Sequence, residues 1–199
     1  LVPSGLANDD RANPETNTPL LEHEQRAIAH EFMISTAHPL ATQAGYEMLE
    51  RGGSAADAMI AAQLVLGLVE PQSSGLGGGA FALYYDADQK RLSSIDARET
   101  APGLAGPFLF YKDGQALGFK EAQLGGRSVG VPGVPKLLEQ MHQAYGKLTW
   151  MELFEPAIDL AEHGFQVTPR LEGMIEAYAE NLKNFDGAKG YLFTLDGQS

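Results

Sequence analysis

From Ala58 to Val69 the sequence runs "AMIAAQLVLGLV", with Gln63 as its single polar side chain. A helix made of these residues has almost no face suited to water, so it must be covered on most of its circumference. Ser54 ahead of it is a good N-cap, and Asp57 stands three residues on, at the spacing of a capping box. Glu70 and Pro71 close the segment, and Gly75, Gly77, Gly78 and Gly79 follow within one turn. The chain then runs straight into "AFALYYD", which with "RLSSIDA" predicts a β-hairpin around "DADQK".

The elements on either side follow from similar signals. "EFMIST", residues 31–36, is a short β-prone run. After it, "AHPLATQAGYEMLERGG" places Leu40, Ala44, Met48 and Leu49 on one helical face before Gly52 and Gly53 end the helix. Beyond the glycine-rich "LGGRSVGVPG", three helical segments are expected to begin near Pro132, Thr149 and Thr168. Thr149 with Glu152 makes a capping box, Pro156 should kink or split the second segment, and Pro169 sits at the first helical position of the third. Residues 1–31, rich in Pro, Asn, Asp and Glu and without periodicity, are expected to be a tail or arm, and residues 32–199 the folded part. The start at Leu1 suggests a removed upstream segment, and the final "NLKNFDGAKGYLFTLDGQS" offers no closing element, as in a piece of something longer.

Charge and composition exclude several classes of function. With 14 Lys and Arg against 26 Asp and Glu, and no basic cluster, the chain is not expected to bind nucleic acid. It has no cysteine, which removes disulfides, thiolate metal sites and cysteine nucleophiles. No apolar run approaches the roughly 18 residues that a membrane span needs.

Several motifs are tempting but lack their context. Gly75, Gly77 and Ala80 fit G-x-G-x-x-[GA], yet a helix enters and a strand leaves, the reverse of a dinucleotide site. The glycines instead let backbone pack closely or expose amides in a pocket wall. "GRSVG" matches the nucleophile elbow at Ser128, but Asp159 and His163 are four apart on one helical segment and suit pairing with each other better than a triad. "HEQRA" at His23 and "HEFMI" at His30 lack a second histidine four residues on, so no metal site is expected.

Arg98 differs, because "SIDARETAP" puts it at the end of a strand, facing a glycine loop, between Asp96 and Glu99. An arginine there can grip a carboxylate with two parallel hydrogen bonds, while neighbouring acids hold its guanidinium or accept an ammonium group. A surface salt bridge among Asp96, Arg98 and Glu99 is the plainer alternative.

Taken together, "TAHPLATQAGYEMLERGGSAADAMIAA", "EPQSSGLGGGAFALYYD", "IDARETAP", "GGRSVGVPG" and "YGKLTWMELFEPAIDLAEHGFQV" resemble the large subunit of γ-glutamyltranspeptidases, in the family's order, from about Met33 to about Leu171. The resemblance implies an α+β fold: part of a four-layer αββα sandwich of the N-terminal-nucleophile hydrolase type, incomplete without the small subunit. It implies a self-cleaving precursor whose small subunit carries the N-terminal threonine nucleophile, so no catalytic residue is expected in this chain, which should be inactive alone. It implies a γ-glutamyl donor such as glutathione, transfer to water or an amino-acid acceptor, and no metal or cofactor. Arg98 matches the family's residue for the donor α-carboxylate. Asp96 and Glu99 are assigned to orienting it, and Gly77, Gly78 and Gly79 to nearby backbone. A periplasmic or secreted location is expected from the family. The alternatives are a related acylase, cephalosporin acylase-like or polyglutamate-processing, or a noncatalytic amino-acid-binding module.

Overall fold

The structure, a computed structural model, describes residues 28–193. The tail expected over 1–31 therefore falls outside the described residues except for its last four. The described residues fall into two compact units: Phe32–Phe165, and a second containing 28–31 with 166–193. Helix and sheet are mixed, as an α+β class requires.

In the larger unit the apolar run forms α2, Ala55–Val69, opened by the anticipated capping box. The Asp57 amide donates to Ser54 Oγ at 3.2 Å, and Asp57 Oδ2 takes the Ser54 amide at 2.8 Å. The helix is covered on most sides. Ala62, Val65 and Val69 pack with Ala41 and Ala44 of α1, Pro39–Glu50. Ile60, Ala61 and Leu64 pack with Leu137, Leu138 and Met141 of α4, Val134–Tyr145, and with Leu153. Gln63, the one polar residue of the run, donates from Nε2 to Ser74 Oγ at 2.7 Å and so ties α2 to the turn that follows.

α1 ends as its glycines suggest. Gly52 is left-handed at φ +83°, its amide bonds the Leu49 carbonyl at 3.0 Å, and the Gly53 amide bonds the Met48 carbonyl at 2.8 Å. These two bonds satisfy carbonyls that a helix end otherwise leaves open. At the other end His38 is the N-cap, its Nδ1 accepting the Leu40 amide at 3.2 Å.

The hairpin is β1, Ala80–Asp86, antiparallel to β2, Arg91–Ala97. Its two faces differ sharply. Ala82, Tyr84, Ile95 and Ala97 turn inward onto the α2–α4 core, and Tyr84 stacks on Tyr145 with ring centroids 3.8 Å apart. Burial pushes the Tyr84 hydroxyl above the ordinary tyrosine value. Phe81, Leu83, Tyr85 and Leu92 point the other way and remain exposed.

"EFMIST" does not form a strand. Phe32, Ile34 and Thr36 turn inward while Met33, Ser35 and Ala37 stay exposed, so the strand-like alternation is there, but among the described residues no ladder completes it. A β-prone segment becomes a strand only when another backbone takes its amides and carbonyls.

A small hairpin of β3, Tyr111–Lys112, and β4, Gln115–Ala116, leads to the short α3, Phe119–Gln123. The segment expected to be divided by Pro156 is divided: Glu152–Phe154 is a 3-10 turn, and α5, Glu155–His163, starts with the proline in its first turn.

In the second unit Thr168 caps α6, Pro169–Ala177, accepting the Leu171 amide at 3.2 Å. The closing stretch, expected to lack an element, forms α7, Ala179–Leu182, and α8, Asp186–Leu192. Neither has a side-chain cap, which is why no start signal marked them.

Candidate functional site: the Arg98 strand end and the glycine turn

After α2 the buried Glu70 begins the turn. Its carbonyl accepts the Ser73 and Ser74 amides at 3.0 and 2.9 Å, and its carboxylate accepts Gln72 Nε2 at 2.7 Å. The Gly78 amide bonds the Gly75 carbonyl at 3.3 Å, which tightens the glycine segment just before β1. The turn borders a polar cleft of about 460 Å³ whose walls include Gln63, Ser74, Gly77, Gly78, Gly79 and Glu99. A second cleft of about 470 Å³ lies between Phe32–Thr36 and α2, but its lining is mainly apolar and offers no charged group.

β2 delivers Asp96, Arg98 and Glu99 to this region in a specific way. Along an extended backbone successive side chains point to opposite sides. Ala97 goes into the core, so Asp96 goes to the exposed face of the hairpin, where Arg98 is exposed as well. Asp96 Oδ1 accepts the backbone amide of Arg98 at 2.9 Å and so fixes the main chain. Glu99 turns toward the glycines, with its carboxylate beside Gly78 and Gly79 and its Cβ beside Gly130.

Neither acid therefore meets the guanidinium: among the described residues Arg98 makes no side-chain hydrogen bond or ion pair. The surface salt bridge that the sequence allowed is not formed. Of the assigned residues, Glu99, Gly77, Gly78 and Gly79 line the cleft, whereas Arg98 and Asp96 are not in its lining and Asp96 acts on the backbone of Arg98. Two further contributors were not among the assigned site residues. The Gly133 and Val134 amides both donate to the Gly78 carbonyl, at 3.0 and 3.2 Å, joining the start of α4 to the glycine turn. Gln63 supports the same turn through Ser74, and its solitary polarity inside an apolar run was the available sign.

The other motifs resolve into structural roles. α2 ends at Val69 and β1 starts at Ala80, so G-x-G-x-x-A is followed by a strand and not by a helix. Ser128 Oγ donates to the Gln123 and Gly125 carbonyls at 2.6 and 3.1 Å, closing a 3-10 turn. Asp159 and His163 engage each other at 3.0 Å on the exposed side of α5. His30 is exposed, and His23 lies outside the described residues. Among the described residues no helix is long and apolar enough to cross a membrane.

Comparison with known proteins gives this geometry its setting. Residues 41–199 match the Gamma-glutamyltranspeptidase family. The chain is 41% identical over 162 residues to the "Glutathione hydrolase proenzyme" of Bacillus subtilis (strain 168), covering 81% of this chain and 28% of that protein. Among solved structures it is similar to the γ-glutamyltranspeptidase of Helicobacter pylori, with a TM-score of 0.82 and 30% identity over 88% of this chain and 50% of that one. A cephalosporin acylase from Bacillus halodurans is also similar, with a TM-score of 0.68 and 30% identity over 85% of this chain and 31% of that one. The chain thus spans under a third of the curated relative and half of the first solved structure. The chain belongs to the γ-glutamyltranspeptidase family.

Proposed function

We propose that this chain is part of the large subunit of a γ-glutamyltransferase or glutathione hydrolase, and that Arg98 grips the α-carboxylate of the γ-glutamyl donor. The observation that carries this reading is the guanidinium itself, exposed at the end of β2 with no partner among the described residues while its backbone amide is held by Asp96. A planar five-donor fork left open on a fixed strand end suits a carboxylate, which it can meet with two parallel hydrogen bonds.

The bond-making groups would come from outside this chain. A small subunit from the same precursor would supply an N-terminal threonine, its hydroxyl attacking the γ-carbonyl carbon of a donor such as glutathione while its amine takes the proton. The amide C–N bond breaks, the leaving amine takes that proton, and a γ-glutamyl ester remains. Water or an acceptor amine then attacks the ester, releasing glutamate or a new γ-glutamyl amide and returning a proton to the threonine oxygen.

The test is release of chromophore from a γ-glutamyl anilide by the complete two-chain enzyme, with Arg98→Ala and this 199-residue chain beside it. Arg98→Ala is expected to lose about ten- to a hundredfold in donor use, the scale of about 1.5–3 kcal/mol for a hydrogen bond to a charged group. Self-cleavage should survive, and the chain alone should be inactive. Unchanged donor kinetics in Arg98→Ala would refute the assignment. A self-cleaved enzyme without γ-glutamyl activity would move the substrate toward that of the acylase relatives.

A further inference from the structure

Two glycine segments far apart in sequence, Gly75–Gly79 and Gly130–Gly133, close on the same four residues, Ala97–Thr100. The contact is backbone against backbone. A methyl group on Gly133 would overlap the Ala97 carbonyl oxygen and lie 2.6 Å from its carbon. One on Gly79 would lie 2.6 Å from the Glu99 amide nitrogen and 2.8 Å from the Ala97 carbonyl oxygen. Packed side chains do not approach backbone that closely, so any residue but glycine at these places must push the end of β2 aside. Gly75 and Gly77, in the same turn as Gly79, meet nothing within 4 Å at the same position. The glycines of that turn therefore serve different ends.

The two segments also bond to each other and to the strand end. Gly78 accepts from Gly133 and Val134, and Val131 donates to the Thr100 carbonyl at 2.9 Å. Asp96 Oδ1 holds the Arg98 amide from the opposite side. The main chain is thus packed closely before and after Arg98, while the guanidinium itself has no partner among the described residues.

We propose that Gly79 and Gly133 are positioning residues for Arg98, gripping the Ala97 carbonyl and the Glu99 amide so that the guanidinium meets the donor carboxylate in one geometry. This rests on the reading of Arg98 given above. Paired hydrogen bonds require alignment of two planar groups, and a displacement of about 1 Å at a binding group can cost on the order of a hundredfold in rate. A site of this kind works only when its supporting backbone is rigid.

A structural role alone would lower the amount of active enzyme, so the test uses a quantity from which that amount cancels. It is the ratio of kcat/KM for two donors, a γ-glutamyl anilide and the 4-aminobutyryl anilide that lacks only the α-carboxylate, measured on the complete two-chain enzyme. Arg98→Ala is expected to collapse this ratio by about ten- to a hundredfold. Gly79→Ala and Gly133→Ala are expected to lower it at least about fivefold, through the carboxylate-bearing donor alone. Gly67→Ala, whose methyl makes only an ordinary 3.8 Å contact with Gly75, should keep the wild-type ratio. Asp96→Ala, at an exposed position that burdens no packing, provides a variant safe for folding: the ratio should fall, and Asp96→Asn, which keeps the acceptor oxygen, should restore it.

If Arg98→Ala collapses the ratio while the Gly79, Gly133 and Asp96 variants that mature all keep it, the positioning role is wrong and the glycines are scaffold. If Arg98→Ala itself keeps the ratio, the reading of Arg98 fails, and that outcome is distinct from the first.

Discussion

The carboxylate oxygen Oδ2 of Asp57, fully buried in the first turn of α2, accepts the backbone amide of Lys147 at 2.9 Å across ninety residues of chain. The same oxygen takes the Leu148 amide at 3.3 Å and the Ser54 amide and hydroxyl at 2.8 and 3.1 Å. One helix-capping residue thus also fastens the loop after α4. All of these bonds fall on Oδ2, while Oδ1 is buried with no hydrogen-bond partner among the described residues, so the four donors on one oxygen stand in for water, and each bond to a charged group contributes about 1.5–3 kcal/mol. Asp57→Ala leaves four donors without their acceptor at once and is expected to cost about 3–5 kcal/mol, with Asp57→Asn recovering part of it. The measurement is the urea midpoint at unchanged m-value. A loss below about 0.5 kcal/mol would show that the loop is held by packing instead.

A second expectation concerns acid. Glu152 accepts the Thr149 hydroxyl and amide at 2.6 and 2.8 Å and pairs with Arg51, which also reaches Glu155 at 3.0 Å. These bonds, those from Thr149 first, hold the Glu152 carboxyl below the usual carboxylate range. A carboxylate with a lowered value in the folded state adds stability above its unfolded pKa and loses it as pH falls through the folded one. The difference in urea midpoint between wild type and Glu152→Gln should therefore be constant at neutral pH and close as pH falls from the ordinary carboxylate range through the lowered folded value. A gap that persists there would mean that shape rather than charge sets the effect.

A third follows from the outward face of the hairpin, where Phe81, Leu83 and Tyr85 are 67%, 75% and 61% exposed. Contiguous apolar surface of this kind favours association. The 199-residue chain produced alone should self-associate in sedimentation velocity, and Leu83→Lys should shift it toward monomer without changing its helix content. A wild-type chain that sediments as a monomer at about 50 μM would remove the premise.

What could be read from sequence was what neighbouring residues decide between themselves. Ser54 and Asp57 announce the start of α2, Gly52 the end of α1, and "DADQK" the hairpin, because each device closes over a few residues. The direction of Glu99 was not legible. It depends on Gly78, Gly79 and Gly130 arriving from two other places, and nothing local specifies that meeting. "EFMIST" failed as a strand for a related reason: its residues supply the alternation but not the partner backbone. At Arg98 the residue type and the strand end were apparent, whereas the separation of its two acidic neighbours became visible only with the fold.

The loop fastened by Asp57 carries its own optical label. Trp150, the chain's one tryptophan, is half-buried with its ring centroid 5.1 Å from that of His142 and 5.0 Å from that of Phe154. His142 in turn bonds the Leu148 carbonyl at 2.9 Å. Tryptophan fluorescence, excited at the red edge where the seven tyrosines do not absorb, therefore reports on the junction where the loop after α4 docks on α2, so a red-shifted emission would reveal local opening of that junction before any change in helix content.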